Sequence, residues 1–421
     1  MNSHQVALGE STCTAIYSGT STQQLNIVDL GQLCLERSVS ARECIVTMGA
    51  LAEKHGYYDA GESLFVTDPN EAWVFHVLPD STGDGAVFVA QLIDPSHVST
   101  VMNAFIVRQV DVASPAFITS SNLLPEATKL GWVPTEPLDF ASLFSGGDEQ
   151  ACKYSSGLRM WAVYNTLSSE LGLESTYSSY LDAGYPVSGP PDELVNATQL
   201  RSLMRNTYEG TVYSLAEQDG FGPFSSASRW STPQLVDNST VCWPRSISTF
   251  KSIVSFVAES RSWLPNEIGG LVHFTPHSAR GGVMVPFTPS MKSLPIGYTS
   301  NSLGDLCRGT SAFWAARYVY NLVEMKTIYA IEDVRAFQSS FEDGVLQNLT
   351  RYVDEAFVEG TLALLEVQSL YNGGAVDAVA ALWELSDRLV MMYADGYCNG
   401  CGKGPKHLGY PQAWLDDVYG N

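Results

Sequence analysis

The sequence predicts an α+β fold in layers rather than a doubly wound sheet, on three observations. A helix-periodic block opens the chain, short apolar runs separated by turn residues come next, and a long helix-periodic block closes it. Strand hairpins flanked by helices at both ends imply layers, because each apolar face must be covered by another element.

Between Val28 and Gly56, Leu30, Leu33 and Cys34 recur at helical spacing, as do Ala41, Cys44, Ile45, Met48, Leu51 and Ala52. Two helices are expected, the second opened by the capping-box spacing of Ser40 and Glu43. From Glu62 the texture changes to runs rich in Val, Phe and Trp, which predict strands over 63–67, 72–77 and 86–92. Ser81-Thr-Gly-Asp-Gly85 supplies the turn between the last two, and a further strand is expected over 100–107. The Gly/Ser/Pro-rich stretch 178–192 predicts a long surface connection. Residues 271–275 and 283–287 predict a second hairpin joined through His277-Ser-Ala-Arg-Gly-Gly282. Residues 311–393 are mostly helical in pattern, with Phe313, Trp314, Tyr318 and Leu322 as core candidates and Asn372-Gly-Gly374 as a break.

Forty-five acidic residues face 23 basic ones, a formal charge of -22 with only 16% of residues charged. That balance argues against nucleic acid as a partner, since counterion release needs a basic surface. No apolar run is long enough to span a membrane, so no membrane insertion is expected. Three Asn-x-Ser/Thr sequons, at Asn196, Asn238 and Asn348, and an even count of eight cysteines favour the secretory pathway, extracellular or lysosomal, and a glycoprotein. The opening Met-Asn-Ser-His-Gln lacks a signal peptide's basic start and apolar stretch, which leaves the cytoplasm as the alternative.

Several catalytic signatures are absent: no His-Glu-x-x-His, no phosphate loop and no Gly-x-Ser-x-Gly elbow. Cys398-Asn-Gly-Cys401 has only His407 near it, so a local disulfide or two thiols is expected rather than zinc. His273 and His277 flank the second hairpin without an Asp at a recognisable spacing and read as ordinary surface or strand residues.

A collinear series of short segments does rise above background. Gly9-Glu-Ser-Thr-Cys13, Ala41-Arg-Glu43, Glu71-Ala-Trp-Val74, Asn103-Ala-Phe-Ile-Val-Arg108, Met204-Arg-Asn-Thr-Tyr-Glu-Gly-Thr211, Arg245-Ser-Ile-Ser248, Ser260-Arg-Ser-Trp-Leu-Pro-Asn-Glu-Ile-Gly-Gly270, Ala312-Phe-Trp314 and Asp395-Gly-Tyr397 follow one another in order. Together they resemble the cysteine dipeptidases of the N-terminal-nucleophile hydrolases, of the dipeptidase A/D type, with the secernins as more distant relatives. The resemblance implies a four-layer αββα sandwich over a single domain, 1–421, with a largely helical C-terminal portion. It implies dipeptide substrates, a thioester acyl-enzyme, and neither metal nor cofactor. One cysteine at the mature N-terminus would supply both thiol nucleophile and amine base.

In that family a Cys-Thr-rich strand precedes the Gly-Glu-Ser-Thr-Cys segment, so the nucleophile and the first strand or strands are expected upstream of Met1. Cys13 is the substitute if cleavage follows Thr12; otherwise it is a buried or disulfide-bonded cysteine. A catalytically silent relative that binds or scaffolds is the alternative function. Among the residues present, the Asn103 amide could donate to an oxyanion or cap a turn. Arg261 could clamp a substrate carboxylate, or stack on Trp263 and pair with Glu267. Glu10 and Glu209 could take the substrate ammonium group or make structural hydrogen bonds.

Overall fold

The computed structural model describes residues 1–20, 24–146, 156–175, 184–217, 222–229, 234–236, 239–241, 244–299 and 309–420. It is a mixed α and β structure that divides into two compact units. The first unit comprises Met1–Val195, Ser231–Arg245 and Ser260–Gly270, and the second Asn196–Trp230, Ser246–Glu259 and Leu271–Asn421.

The first unit is built on an antiparallel five-stranded sheet. Its strands are β1 (Ala7–Cys13), β2 (Gly61–Thr67), β3 (Ala72–Pro79) and β4 (Ala86–Ile93), with Phe117–Thr119 beyond β4. Period-two alternation sorts the side chains into two cores. Trp73, Phe75, Val77 and Phe88 pack with helices α1 (Ile27–Arg37) and α2 (Ala41–His55), while Val74, Leu78, Val87 and Val89 pack with Phe105, Phe140 and Phe144. Asn26 opens α1 with a capping box and Ser40 caps α2. A Cys34–Cys44 disulfide joins the two helices. Helix α2 lies close on the sheet at Gly49, where a Cβ would stand 2.4 Å from the Phe88 ring, so the sequence needs glycine there.

One expectation fails in this unit. Residues 100–107 form no strand but an irregular segment whose Ala104, Phe105, Ile106 and Val107 are buried. Of the stretch 178–192, residues 178–183 lie outside the described residues; in 184–192, Gly184, Pro190 and Asp192 are exposed while other positions are anchored. Tyr185 is buried, and Ser188–Gly189 pairs with Val98–Ser99.

In the second unit, Val254–Ser260, Gly270–Pro276 and Val285–Phe287 form a three-stranded sheet, the last two antiparallel as expected. Val283, Val285 and Phe287 join a core with the helices Ala312–Met325, Thr327–Ser339 and Leu364–Tyr393. The buried stripe of Ala312–Met325 is Phe313, Ala315, Ala316, Val319, Tyr320 and Val323, so Phe313 is core as expected while Tyr318 is exposed. Asn372-Gly-Gly374 breaks nothing, because Leu364–Tyr393 runs through it as one helix. Cys398 and Cys401 form a disulfide, whereas Cys152, Cys242, Cys307 and the sequon at Asn238 lie outside the described residues. No helix is long and apolar enough to cross a membrane among the described residues.

Candidate active site

The polar groups of the first unit gather at β1. The register pairs Cys13 with Gly61, Ser11 with Ser63, and Ser63 with His76, which puts a row of polar side chains into an otherwise apolar face. His76 is fully buried, between the rings of Phe105 and Phe140. Its Nε2 accepts from the backbone N–H groups of Ile106 (2.9 Å) and Val107 (3.2 Å). The ring proton therefore sits on Nδ1 and is donated to Ser63 Oγ at 2.7 Å. Ser63 in turn donates to Cys13 Sγ at 3.0 Å, and the Cys13 thiol to the Ser11 carbonyl at 3.3 Å. Burial pushes the imidazole down to about 3, so the chain of bonds is neutral at ordinary pH.

This chain explains the irregular segment. Two backbone donors that a strand would have spent on a neighbour are spent on a histidine, and the segment turns at Asn103, which adopts a left-handed φ of 60°. Asn tolerates that conformation better than most residues. Its backbone N–H donates to Ser11 Oγ (2.8 Å), and its Nδ2 to the Thr12 carbonyl (2.7 Å). Its amide oxygen accepts from Arg159 (3.0 Å) and Arg245 (3.4 Å). Two guanidinium groups thus converge on one amide oxygen beside β1.

On the α1/α2 side of the same strand stand two carboxyl groups. Thr12 Oγ1 donates to Glu10 (3.1 Å), and Glu10 shares a hydrogen bond with Glu62. Glu10 is exposed, while Glu62 is 2% exposed. Elsewhere in this unit a cavity of about 560 Å3 is lined by Gln91, Arg108, Asp139, Tyr185 and Ser188 among others, a volume in the range of small-molecule sites. Arg108, on its wall, donates from Nε to both Asp139 oxygens.

A model of peptidase family C69 matches residues 2–340 of this sequence. The chain belongs to peptidase family C69. That membership makes it a peptidase by family and bears out the resemblance read from the collinear segments. No curated protein matches the chain.

Within this family C69 member the expected site residues part company. Glu10 and Asn103 are brought together through Thr12. Arg261 is buried, its Nε donating to Gly269 O (3.0 Å) and its Nη2 to Ile268 O (2.6 Å) at the short helix Asn266–Gly269. Its backbone N–H is held by Gln5 Oε1 at 2.7 Å. Trp263, the expected stacking partner, is 73% exposed. Glu209 lies in the second unit, where it pairs with Arg280 (2.8 Å) and Arg335 (3.0 Å). Burial alone would raise its carboxyl, but Arg280 and the hydrogen bonds from Thr207 outweigh burial and hold it low. Cys13 is not in a disulfide, and its sulfur is buried on the Ser63–His76 chain. His273 does have a carboxylate partner, Glu259 at 3.2 Å, and His277 is buried rather than superficial.

Sequence reasoning missed Ser63, His76, Glu62, Arg159 and Arg245. The first two carried a signal: pairing 63–67 with 72–77 places Ser63 opposite His76, a polar pair on a core face. Arg159 carried none, and Arg245, though it opens one of the collinear segments, carried nothing to link it to Asn103, 142 residues away.

Proposed function

We propose that this peptidase is a dipeptidase that works through a cysteine thioester acyl-enzyme on a four-layer αββα sandwich, both units forming parts of one catalytic domain. The family match over residues 2–340 carries the reading; the cluster on Asn103 supplies its chemistry. The nucleophile is a cysteine at the mature N-terminus, whose α-amino group, with an ordinary pKa of about 7.7 to 8.0, takes the thiol proton. Attack on the scissile carbonyl places negative charge on its oxygen. Nδ2 of Asn103 carries two N–H bonds, and one is spent on Thr12 O. The other is the proposed oxyanion donor. Arg159 and Arg245, bonded to the same amide's oxygen, polarise it and strengthen that donor. In this scheme those two arginines take the cationic role that the sequence offered to Arg261. We further propose a secretory setting, with Asn196 and Asn348, both exposed, as glycan acceptors.

The test is N-terminal sequencing of the native protein by mass spectrometry, paired with hydrolysis of a dipeptide panel on the same sample. A mature N-terminal cysteine and thiol-sensitive hydrolysis support the dipeptidase. In that enzyme Asn103→Ala lowers kcat by about 100-fold or more, the usual cost of an oxyanion donor. A native protein without such a cysteine, and inactive on the panel, sinks the reading in favour of a catalytically silent relative. One observation favours that second reading: the Cys13 sulfur is sealed in the core, where no substrate carbonyl reaches it.

A further inference from the structure

The hairpin that follows the helix Leu364–Tyr393 carries a disulfide whose two ends differ. Cys398 and Cys401 lie three residues apart, outside the residues 2–340 that the family model matches. Cys401 is exposed, whereas Cys398 is 3% exposed and joins the helical core of the second unit. The first unit offers a contrast: Cys34 and Cys44, both 0% exposed, tie α1 to α2 across 10 residues. A loop as short as that of Cys398–Cys401 constrains the unfolded chain least, so its cross-link adds little to stability. The hairpin has other supports. Tyr397–Cys398 pairs antiparallel with Lys406–His407, the Asn399 N–H donates to Met392 O (3.0 Å), the Leu408 N–H to Gly396 O (2.9 Å) and the Tyr329 hydroxyl to Gly409 O (2.6 Å). Gly400, Gly402 and Gly404 take φ values of 88°, 128° and 98°, which glycine adopts without strain, so the chain reverses there with or without the cross-link.

We propose that Cys398–Cys401 is a thiol–disulfide exchange site, with low-molecular-weight thiols as its reaction partners and Cys401 as the sulfur they attack. This activity is independent of the peptidase reading and uses none of the groups around Asn103.

Access sets the order of events. A thiolate R–S− attacks the Cys401 sulfur, a new S–S bond forms to it, the Cys401–Cys398 bond breaks, and the electron pair leaves on Cys398. A second R–S− attacks the outer sulfur of this mixed disulfide, R–S–S–R departs, and Cys401 is released as a thiolate. Two R–SH molecules are oxidised, the protein gains two electrons, and two protons end on Cys398 and Cys401. Local charge favours both thiolates. Residues 398–407 contain Lys403, Lys406 and His407, all exposed, and no Asp or Glu. The register sets Lys406 directly opposite Cys398, a position whose side chains share a face, and a neighbouring cation lowers a thiol's pKa. Asp395, the nearest acid in sequence, is engaged by the Tyr397 N–H (3.0 Å) and by Asn399 Nδ2 (3.2 Å). The bonds that hold the hairpin keep the two Cα atoms, 5.6 Å apart, within disulfide reach after reduction, so exchange runs in both directions. A zinc site, the other use of this spacing, needs further ligands, and among the described residues no three His, Cys, Asp or Glu side chains gather.

The test equilibrates the full native protein with reduced and oxidised glutathione at graded ratios, traps free thiols with iodoacetamide, and reads each cysteine-bearing peptide by mass spectrometry. The expected result is reversible reduction of Cys398–Cys401 while Cys34–Cys44 stays oxidised, with equilibrium constants at least about 100-fold apart. In the reduced protein, hydrogen exchange over residues 396–408 should stay within about threefold of that in the oxidised protein. Cys398→Ser should leave a Cys401 thiol that forms a mixed disulfide with oxidised glutathione at least about tenfold faster than the Cys398 thiol left by Cys401→Ser. Lys406→Glu should slow reduction of the pair severalfold, because Cys398 becomes a poorer leaving group. A pair that resists about 10 mM reduced glutathione until the protein is denatured, or that is reduced only together with Cys34–Cys44, is a structural staple and overturns the proposal. So does loss of hydrogen-exchange protection on reduction, or equal rates in the two serine variants. Should either serine variant misfold, the wild-type titration decides.

Discussion

Around His76 the first unit holds its loop with neutral groups, whereas the second unit holds residues 275–284 with charge. There Glu342 accepts from the Met284 N–H (2.7 Å) and from Arg205 (2.5 Å), and lies 3.4 Å from Arg201. Arg205 also donates to Ala279 O, and Arg280 pairs with both Glu209 and Glu324. Glu342 reaches these partners from a π-helical stretch, Ser340–Leu346, whose wider turn interrupts the regular helix. Both devices immobilise mainly irregular backbone, residues 100–107 in the first unit and 277–284 in the second. They differ in kind: the second unit's web buries ion pairs, while the first unit's chain is held by a neutral imidazole whose protonation burial opposes.

The largest effect is expected where charge is buried. Glu342→Ala leaves two guanidinium groups undercompensated and the Met284 N–H without its acceptor, a loss of about 3–5 kcal/mol by the usual cost of breaking a buried pair. Equilibrium denaturation in urea measures it. A loss below about 1 kcal/mol would show that the web does not hold the 275–284 loop.

His76→Leu comes next, at about 2–4 kcal/mol, because Ile106 and Val107 lose an acceptor and Ser63 its donor. This variant also separates neutral from charged support. The native imidazole sits near 3 against about 6.5 unfolded, so its contribution is complete above 6.5 and is lost as pH falls from there toward 3. A drop on the order of 4 kcal/mol across that window is expected in the wild type and should be smaller in His76→Leu. An unchanged acid limb would remove His76 as its cause. His277, pushed down to about 4 by burial and by Arg317, adds to the same limb in the second unit, so the variant flattens the limb without abolishing it.

Glu62 acts on the opposite limb. Its native value near 9 exceeds the unfolded one, so its contribution is present at low pH and is lost as pH rises from about 4.5 toward 9. Glu62→Gln should be close to neutral at pH 5 and stabilising by roughly 1–3 kcal/mol at pH 8.5, discounted for the exposure of its partner Glu10. Thermal melts at the two pH values decide it; equal shifts at both would mean that the carboxyl does not hold its proton.

The boundary between legible and illegible sequence follows the same contrast. Trp73, Phe75 and Val77 alternate with residues of the opposite core, so their strand can be read directly, as can the helices of 28–56. The segment 100–107 has the same apolar, β-branched texture. What denies it a ladder is one histidine 30 residues upstream, and a residue count along the chain holds no trace of that. Asn103 stands out through its neighbours in a family pattern, yet the groups that give it chemistry, Arg159 and Arg245, come from distant positions. Arg261 shows the same limit: its bonds to the carbonyls of Ile268 and Gly269 depend on the local chain path, which residue types alone do not encode.

The smallest prediction tests how packing overrides a local signal. Asn372-Gly-Gly374 has the composition of a break, yet the helix Leu364–Tyr393 continues through it. The two glycines differ. A Cβ on Gly374 would stand 3.2 Å from Leu349 and 3.3 Å from Leu346, whereas a Cβ on Gly373 meets nothing within 4 Å. Gly374 therefore permits the close approach of a neighbouring helical segment, and Gly373 only costs the helix backbone entropy. Gly373→Ala should stabilise by about 0.5–1 kcal/mol, the ordinary helix-interior difference between the two residues. Gly374→Ala gains the same propensity but crowds two leucine side chains, so the gain should be cancelled to within about 0.5 kcal/mol. Chemical denaturation of the pair, compared with each other as well as with the wild type, reads the difference. If both substitutions stabilise equally, the leucines give way freely, and the helix persists through the double glycine for reasons other than the close contact at Gly374.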